Sequence, residues 1–167
     1  MLTTQRLSSV RLVLFDFDGV FTDNTVFVSQ DGLESVRCWR SDGLGLTRLR
    51  SVGVQALIVS TEVNTVVSVR AKKLGLSCRQ GVEDKAFATL SICDALQIDP
   101  LQTMFVGNDI NDIPAFQSIG LPVCVANAHP EVFPYVVYRT QKSGGFGAVR
   151  EICDLVYNAK KFSQQRG

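Results

Sequence analysis

The chain carries almost no excess charge and has a single histidine. Its 167 residues include 17 Lys and Arg against 16 Asp and Glu, which leaves a formal net charge of +1. A protein so close to neutrality has no field that would attract nucleic acid or an anionic membrane surface. We therefore expect neither as a partner, and any bound anion must be held by local groups. His129 precedes Pro130 and is expected to be a surface loop residue.

Paired cysteines and long apolar runs are also lacking. The apolar run nearest the N-terminus, residues 12–15, is too short for a signal peptide or a membrane-spanning helix. The cysteines are odd in number and form no C-x-x-C pair, which argues against a disulfide framework and against a zinc site. They are Cys38, Cys78, Cys93, Cys124 and Cys153. A reducing compartment fits this pattern, so we expect a cytoplasmic protein.

Repeats, low-complexity segments and linkers rich in proline or serine are absent as well. The length suits one domain with a continuous core, and an apolar content of 46% is that of a globular protein. We predict one domain over residues 1–162 and a flexible tail at 163–167.

What the chain does contain is a regular alternation of short apolar runs and helical patterns. The runs are typical of strands buried on both faces, and they lie at 12–15, 56–59, 103–106 and 123–125. The helical patterns lie at 44–51, 63–74, 84–96, 112–119 and 147–159. Such alternation predicts an α/β fold with a central parallel sheet.

Segment 25–39 departs from this alternation. Two strand-like runs flank an Asp31–Gly32 turn, a pattern that predicts an inserted β-hairpin. Two strands alone cannot bury the apolar side chains of such a hairpin. We expect a neighbouring subunit to cover them.

The most informative segment follows the first apolar run and reads Asp-Phe-Asp-Gly-Val-Phe-Thr-Asp from Asp16 to Asp23. Two carboxylates two residues apart, Asp16 and Asp18, can divide labour, since one can attack while the other transfers a proton. Ligands of open α/β sheets bind beyond the carboxyl ends of the strands. Polar residues recur at those positions, namely Ser60, Lys85, Asn108, Asp109 and Asp112.

In this order the polar residues resemble the four motifs of the haloacid dehalogenase superfamily, and the resemblance covers nearly the whole chain. It implies a Rossmann-like three-layer sandwich. The spacings from Asp18 to Ser60 and from Ser60 to Lys85 leave no room for a cap domain. The chain is therefore similar to the capless sugar-acid phosphatases, which act on octulosonate 8-phosphate or nonulosonate 9-phosphate and form tetramers through the hairpin.

The resemblance implies a role for each residue. Asp16 is the nucleophile and a metal ligand, while Asp18 is the acid and base and lends its backbone carbonyl to Mg²⁺. Ser60 and Lys85 hold the phosphoryl group. A cation and a fixed positive side chain are needed because a phosphate dianion repels an approaching carboxylate.

The fourth motif departs from the commoner Gly-Asp-Asp form, since Asn108 stands where a carboxylate is usual. The metal site loses one negative charge, although an amide oxygen can still bind a cation. Asn108 and Asp109 both remain candidate ligands, with Asp112 close by as support.

Substrate contacts are implied less directly. Glu62, Arg70 and Lys73 fit the nonulosonate pattern, in which the glutamate binds sugar hydroxyls and the basic pair binds a carboxylate from a neighbouring subunit. Arg70 and Lys73 equally fit a solvated helix face. Arg40 and Asp42 follow the hairpin, and Thr22 lies in the extended first motif, so all three are candidates to line the pocket.

Three readings of function stay open. One is a Mg²⁺-dependent homotetrameric phosphatase of a 2-keto-3-deoxy sugar acid phosphate, acting through an aspartyl phosphate. Another is a non-catalytic oligomerisation module, because Ser60-Thr61-Glu62 also resembles the phosphatase-like module of acylneuraminate cytidylyltransferases and Asn108 weakens the metal site. A broad-specificity phosphatase or phosphotransferase is a third option.

Overall fold

The computed structural model describes residues 2–165. The strands, in chain order, are β1 (Leu12–Phe15), β2 (Phe27–Val28), β3 (Glu34–Ser35), β4 (Gln55–Val59), β5 (Ser77–Arg79), β6 (Thr103–Gly107), β7 (Leu121–Cys124) and β8 (Tyr138–Arg139). The helices are α1 (Thr4–Ser9), α2 (Asp42–Ser51), α3 (Thr65–Leu74), α4 (Lys85–Leu96), α5 (Ile113–Ser118) and α6 (Ala148–Gln164). Within this range, no helix has the length and apolar character needed to cross a bilayer.

Six strands form one parallel sheet in the order β5-β4-β1-β6-β7-β8. Helices flank the sheet, so its central strands have no contact with water, and every side chain of β1 and β6 is buried. The carboxyl ends of β1, β4 and β6 are neighbours at one edge. The predicted α/β sandwich with a central parallel sheet is confirmed.

The predicted strands and helices all occur, but the sequence pattern missed some elements. β5 and β8 are edge strands with exposed or half-exposed side chains, so neither carries an apolar run that would reveal it. The last helix also continues past residue 159 to Gln164, and Lys160 Nζ donates to the Ser8 carbonyl of α1 at 2.9 Å. Ser163 and Gln164, expected in a flexible tail, are therefore helical. Arg166 and Gly167 lie outside the described residues.

The predicted hairpin is present with a shorter ladder than expected. β2 pairs antiparallel with β3 over two residues on each side, and a single bridge joins Thr22 to Cys38. At the base of the hairpin, Arg37 forms an ion pair with Asp23 at 2.8 Å. The apolar side chains near the tip face solvent, with exposed fractions of 50% to 69%; they are Val26, Phe27, Val28 and Leu33.

Candidate active site

A buried cluster of three charged side chains lies at the carboxyl edge of the sheet. Asp16 follows β1, Lys85 begins α4, and Asp112 precedes α5. Lys85 Nζ lies 3.0 Å from Asp16 Oδ1 and 2.6 Å from Asp112 Oδ1, and all three residues are at most 5% exposed. The sheet thus brings together residues that are far apart in the chain, as the sequence predicted.

One lysine shared between two carboxylates leaves the cluster short of positive charge. Burial, and then the charge of Asp112, raise the pKa of Asp16 to about 7, while Lys85 and the Phe17 N–H oppose the rise. The two carboxylates together raise the pKa of Lys85 against the effect of its burial. Lys85 is therefore charged at neutral pH, and a further cation near Asp16 would favour its carboxylate form.

The loop after β6 is organised by Asp112. Its Oδ2 atom accepts hydrogen bonds from the backbone N–H of Asn108 at 2.8 Å and of Asp109 at 3.2 Å. Gly107 permits this fold of the loop, because a Cβ at that position would stand 2.3 Å from Asp112 Oδ2. Asp109 turns its own carboxylate to the Ile110 N–H at 2.7 Å and caps the following turn. Of the two candidate metal ligands, only Asn108 is directed at Asp16.

The side-chain amide of Asn108 lies between the two aspartates of the first motif. One of its terminal atoms is 2.9 Å from the Asp18 carbonyl oxygen and 3.2 Å from Asp16 Oδ2. Mg²⁺ takes oxygen ligands at about 2.1 Å in an octahedron, which sets adjacent ligand oxygens about 3.0 Å apart. An amide oxygen in that place has, from each of the other two oxygens, the spacing of ligands around a small divalent cation.

Carboxylates alone would not form this metal site. Among residues 2–165, no three His, Cys, Asp or Glu side chains converge as metal ligands do. A cation at this place would have one carboxylate, one amide and one backbone carbonyl as ligands, which are hard oxygen ligands of the kind magnesium prefers. The residues present therefore fit a magnesium ion.

Asp18 stands between two connected clefts. The first, of about 360 Å³, is lined by Asp16, Asp18, Asn24, Thr61, Asn108, Asp109, Ile110 and Asn111. Burial and the charge of Glu62 raise the pKa of Asp18, against the opposing effect of Lys85. Its protonated form is thereby favoured, as suits a general acid. Ser60 is buried beside this edge, where its hydroxyl oxygen accepts from the Glu62 N–H at 3.1 Å.

The second cleft, of about 200 Å³, lies between the hairpin and the start of α3. Its lining residues are Asp18, Asn24, Thr25, Val26, Glu34, Val36, Glu62 and Val66. Glu34 reaches across from β3 to accept from Asn64 Nδ2 at 2.9 Å. The lining contains three carboxylates and, within the part of the chain that the structure describes, no lysine or arginine. Its chemistry suits hydroxyl groups that donate hydrogen bonds.

Several candidates for substrate contact lie elsewhere. Thr22 is buried, and its hydroxyl accepts from the Gly19 N–H at 3.0 Å. Asp42, the first residue of α2, is buried against the start of α6, where it accepts from the Arg150 N–H at 3.2 Å. Both side chains hold backbone rather than line a cleft, which corrects the expectation drawn from their position in the sequence.

The basic candidates are also outside the two clefts. Arg70 Nη2 donates to the Trp39 carbonyl at 3.1 Å and so ties α3 to the end of the hairpin. Arg40 and Lys73 are exposed. Of the residues proposed for specificity, only Glu62 lines the site, and its Oε1 atom accepts from the N–H groups of Val63 at 2.7 Å and Asn64 at 2.8 Å.

Sequence reasoning missed the residues that the hairpin contributes. Asn24, Thr25 and Glu34 line the second cleft. The signal for Asn24 and Thr25 is their position directly after the first motif, whereas Glu34 has no such signal. Gly144 contacts the loop after β1 so closely that a Cβ there would lie 1.7 Å from the Gly19 carbonyl oxygen.

Comparison with known proteins agrees with this geometry. A sequence profile of the haloacid dehalogenase-like hydrolases matches residues 77–151. The 3-deoxy-D-manno-octulosonate 8-phosphate phosphatase of Yersinia pestis is 35% identical over 157 residues, which cover 93% of this chain and 84% of that protein. The chain belongs to the haloacid dehalogenase-like hydrolases. It is a phosphoric monoester hydrolase.

Solved structures of two further members support the same placement. The octulosonate phosphatase of Moraxella catarrhalis, in complex with magnesium, phosphate and KDO, superposes with a TM-score of 0.91 at 30% identity, covering 98% of this chain and 97% of that one. The cobalt-bound phosphatase of Haemophilus influenzae gives 0.90 at 28%, covering 94% and 92%. Both relatives bind a divalent metal, which is the class of ion that the oxygens around Asn108 fit.

Proposed function

We propose that this hydrolase is a Mg²⁺-dependent phosphatase of a 2-keto-3-deoxy sugar acid phosphate. The observation that carries the proposal is the buried Asp16 carboxylate. Lys85 holds it at 3.0 Å, and Asp18 and the Asn108 amide lie beside it. A nucleophile, an acid and a positive charge therefore meet at one edge of the sheet.

The chain's own residues account for both halves of the reaction. Asp16 attacks phosphorus through a carboxylate oxygen, the bond from phosphorus to the sugar oxygen breaks, and the Asp18 carboxylic acid protonates that oxygen as it leaves. Asp18, now a carboxylate, then takes a proton from water as the water attacks the aspartyl phosphate. This step restores the Asp16 carboxylate and releases inorganic phosphate. Lys85 stays charged throughout and keeps Asp16 in position.

Asp16, the Asp18 carbonyl and Asn108 are the groups that would hold Mg²⁺. When bound, the ion neutralises charge on the phosphoryl oxygens. Ser60 is proposed to donate to a phosphoryl oxygen, since it stands at the end of β4 next to β1 in the sheet. Asp109 is not included, because its carboxylate caps its own turn.

The second cleft supports a hydroxyl-rich leaving group. Glu34, Glu62 and Asn24 offer acceptors along its wall, while Asp18 at its inner end faces the phosphate position. A sugar acid also carries a carboxylate, and this acidic wall cannot bind it. We propose that a cation from a neighbouring subunit does so, in a homotetramer built on the exposed apolar tip of the hairpin.

Relatives that match over most of the chain are named for octulosonate 8-phosphate, and this is the first substrate to test. Because Glu62 lines the cleft, a nonulosonate 9-phosphate is the second substrate to test. The intact cluster of Asp16, Lys85 and Asp112 favours an enzyme over a non-catalytic module. The free thiols of all five cysteines agree with action in a reducing cytoplasm.

The test is phosphate release from both sugar acid phosphates, with Mg²⁺ or with EDTA. We expect turnover that requires the metal and falls at least about a thousandfold in Asp16→Asn, because the nucleophile is lost. Asp94→Asn, an exposed aspartate on α4, is the matched control and should behave as wild type. Equal turnover of simple phosphate esters would refute the sugar-acid assignment, and unchanged activity in Asp16→Asn would refute the mechanism.

A further inference from the structure

The Asn108 side chain can turn without moving its surroundings. Its backbone is held on both sides, since its N–H donates to Asp112 Oδ2 at 2.8 Å and its carbonyl accepts from the His129 N–H at 2.8 Å. The terminal torsion of an asparagine is broad and roughly two-fold, so a half turn exchanges the oxygen and the NH2 group at almost constant volume.

Gly19 provides the space for both orientations. It has a φ of +76°, and a Cβ there would lie 2.1 Å from the amide nitrogen and 2.5 Å from Cγ of Asn108. No other residue would allow the amide to pack against this turn. The close approach keeps the amide buried, with 7% of Asn108 exposed, and aimed at the two aspartates.

The two orientations serve two different states of the site. With NH2 toward the aspartates, the amide donates to the Asp18 carbonyl at 2.9 Å and to Asp16 Oδ2 at 3.2 Å, and every group is satisfied without a cation. With the oxygen in that place, three acceptors face one another, and a buried acceptor without a partner is costly. A cation removes this cost, because all three oxygens then become its ligands, and its binding must also outweigh the contact of the turned NH2 group with donors on its other side.

We propose that Asn108 is a two-state amide that closes the metal-free site by donation and turns to ligate a divalent cation when one binds. An aspartate, the commoner residue at this position, can perform only the second role because a carboxylate has no donor. The inference rests on the metal site of the proposed function, but it concerns the metal-free protein as much as the loaded enzyme.

Charge gives the expected sign of each effect. Asp16, Asp112 and Lys85 sum to −1, and an aspartate at 108 would make that sum −2. Cation affinity rises with the charge of the ligand set. Asn108→Asp therefore strengthens metal binding while it weakens the metal-free fold, whereas Asn108→Ala, which removes both donor and ligand, weakens both. The opposite effects of the two variants on affinity separate this proposal from a general loss of packing.

The experiment measures thermal unfolding in EDTA and in Mg²⁺ at pH 8, and Mg²⁺ affinity by titration calorimetry. For Asn108→Asp we expect a metal-free melting temperature lower by about 3 °C or more. We also expect a Kd about tenfold tighter, with a larger thermal gain on adding Mg²⁺. Gln117→Glu also exchanges an amide for a carboxylate, on an exposed side chain of α5 outside the two clefts, and it should reproduce neither change.

The outcomes are distinguishable. The proposal is overturned if Asn108→Asp melts no lower than Gln117→Glu in EDTA, or if its Mg²⁺ affinity equals that of the wild type. If wild-type protein binds Mg²⁺ and the variants behave as expected but neither sugar acid phosphate is hydrolysed, the proposed function fails and this inference stands. If wild-type protein binds no Mg²⁺, both fail.

Discussion

Replacing Lys85 by methionine should remove a buried positive charge that two carboxylates share. Methionine has nearly the length of the lysine stem, so the main loss is the ammonium group at 3.0 Å from Asp16 and 2.6 Å from Asp112. Breaking a buried ion pair costs about 3–5 kcal/mol, because the remaining charge has no partner. We expect a destabilisation of this size at pH 8.

The destabilisation should shrink as the pH falls. Without Lys85, the folded protein can keep its carboxylates neutral only by binding a proton to each of them. In the unfolded chain the same carboxylates bind their protons near pH 4. A folded-state pKa above the unfolded value makes stability greatest at low pH and removes it as the pH rises through the folded pKa. Each carboxylate then adds up to about 1.4 kcal/mol of destabilisation per pH unit above pH 4. At pH 5, one unit above pH 4, this is at most about 1.4 kcal/mol for each carboxylate, so the cost should be clearly smaller than at pH 8.

The assay is urea unfolding of wild type and Lys85→Met in EDTA at pH 5, 6, 7 and 8, followed by circular dichroism. Lys72→Met, an exposed lysine near the end of α3, is the control and should stay within about 1 kcal/mol of wild type at every pH. A destabilisation below about 1 kcal/mol, or one of constant size from pH 5 to pH 8, would refute the charge-sharing account of the cluster.

Two other variants test contacts around the site. Gly144→Ala places a Cβ 1.7 Å from the Gly19 carbonyl oxygen. We expect lower activity and, by thermal unfolding, a destabilisation of at least about 2 kcal/mol. The control, Gly43→Ala within α2, should have little effect. Burial raises the pKa of Asp42 to about 7, so the folded state loses stability as the pH rises from about 4 to 7. Asp42→Asn keeps the acceptor for the Arg150 N–H. At pH 8 the variant should be more stable than wild type by about 2 kcal/mol, a figure that allows for the lost attraction of the carboxylate to the α6 N-terminus. At pH 4 the two proteins should be nearly equal in stability. Equal pH dependence of the two proteins would contradict this.

The sequence predicted the sheet and the catalytic cluster because both rest on local signals. Buried parallel strands are continuous apolar runs, and the residues that end them lie at one edge by the geometry of the fold. Asp16, Lys85 and Asp112 therefore met as expected. The edge strands β5 and β8 could not be predicted from the sequence, since a short strand with one exposed face has no apolar run.

Specificity residues were harder to predict because they depend on where side chains turn. Thr22 and Asp42 stand next to the site in sequence, yet both hydrogen-bond to backbone, and a polar residue near a turn does this more readily than it faces a ligand. Glu34 was missed for the converse reason. It is an ordinary exposed residue in the sequence, and only the fold of the hairpin carries it to the second cleft.

The charge of the cluster explains why an amide at position 108 is compatible with phosphatase chemistry. In the metal-free protein Asp16, Asp112 and Lys85 sum to −1, a charge that repels a phosphate dianion. A divalent cation beside Asp16 changes the sum to +1, whereas with a carboxylate at 108 it would reach only zero. Asn108 thus gives up part of the metal affinity and leaves one more positive charge for the phosphate, so the substitution that weakens the cation site strengthens the attraction for the substrate.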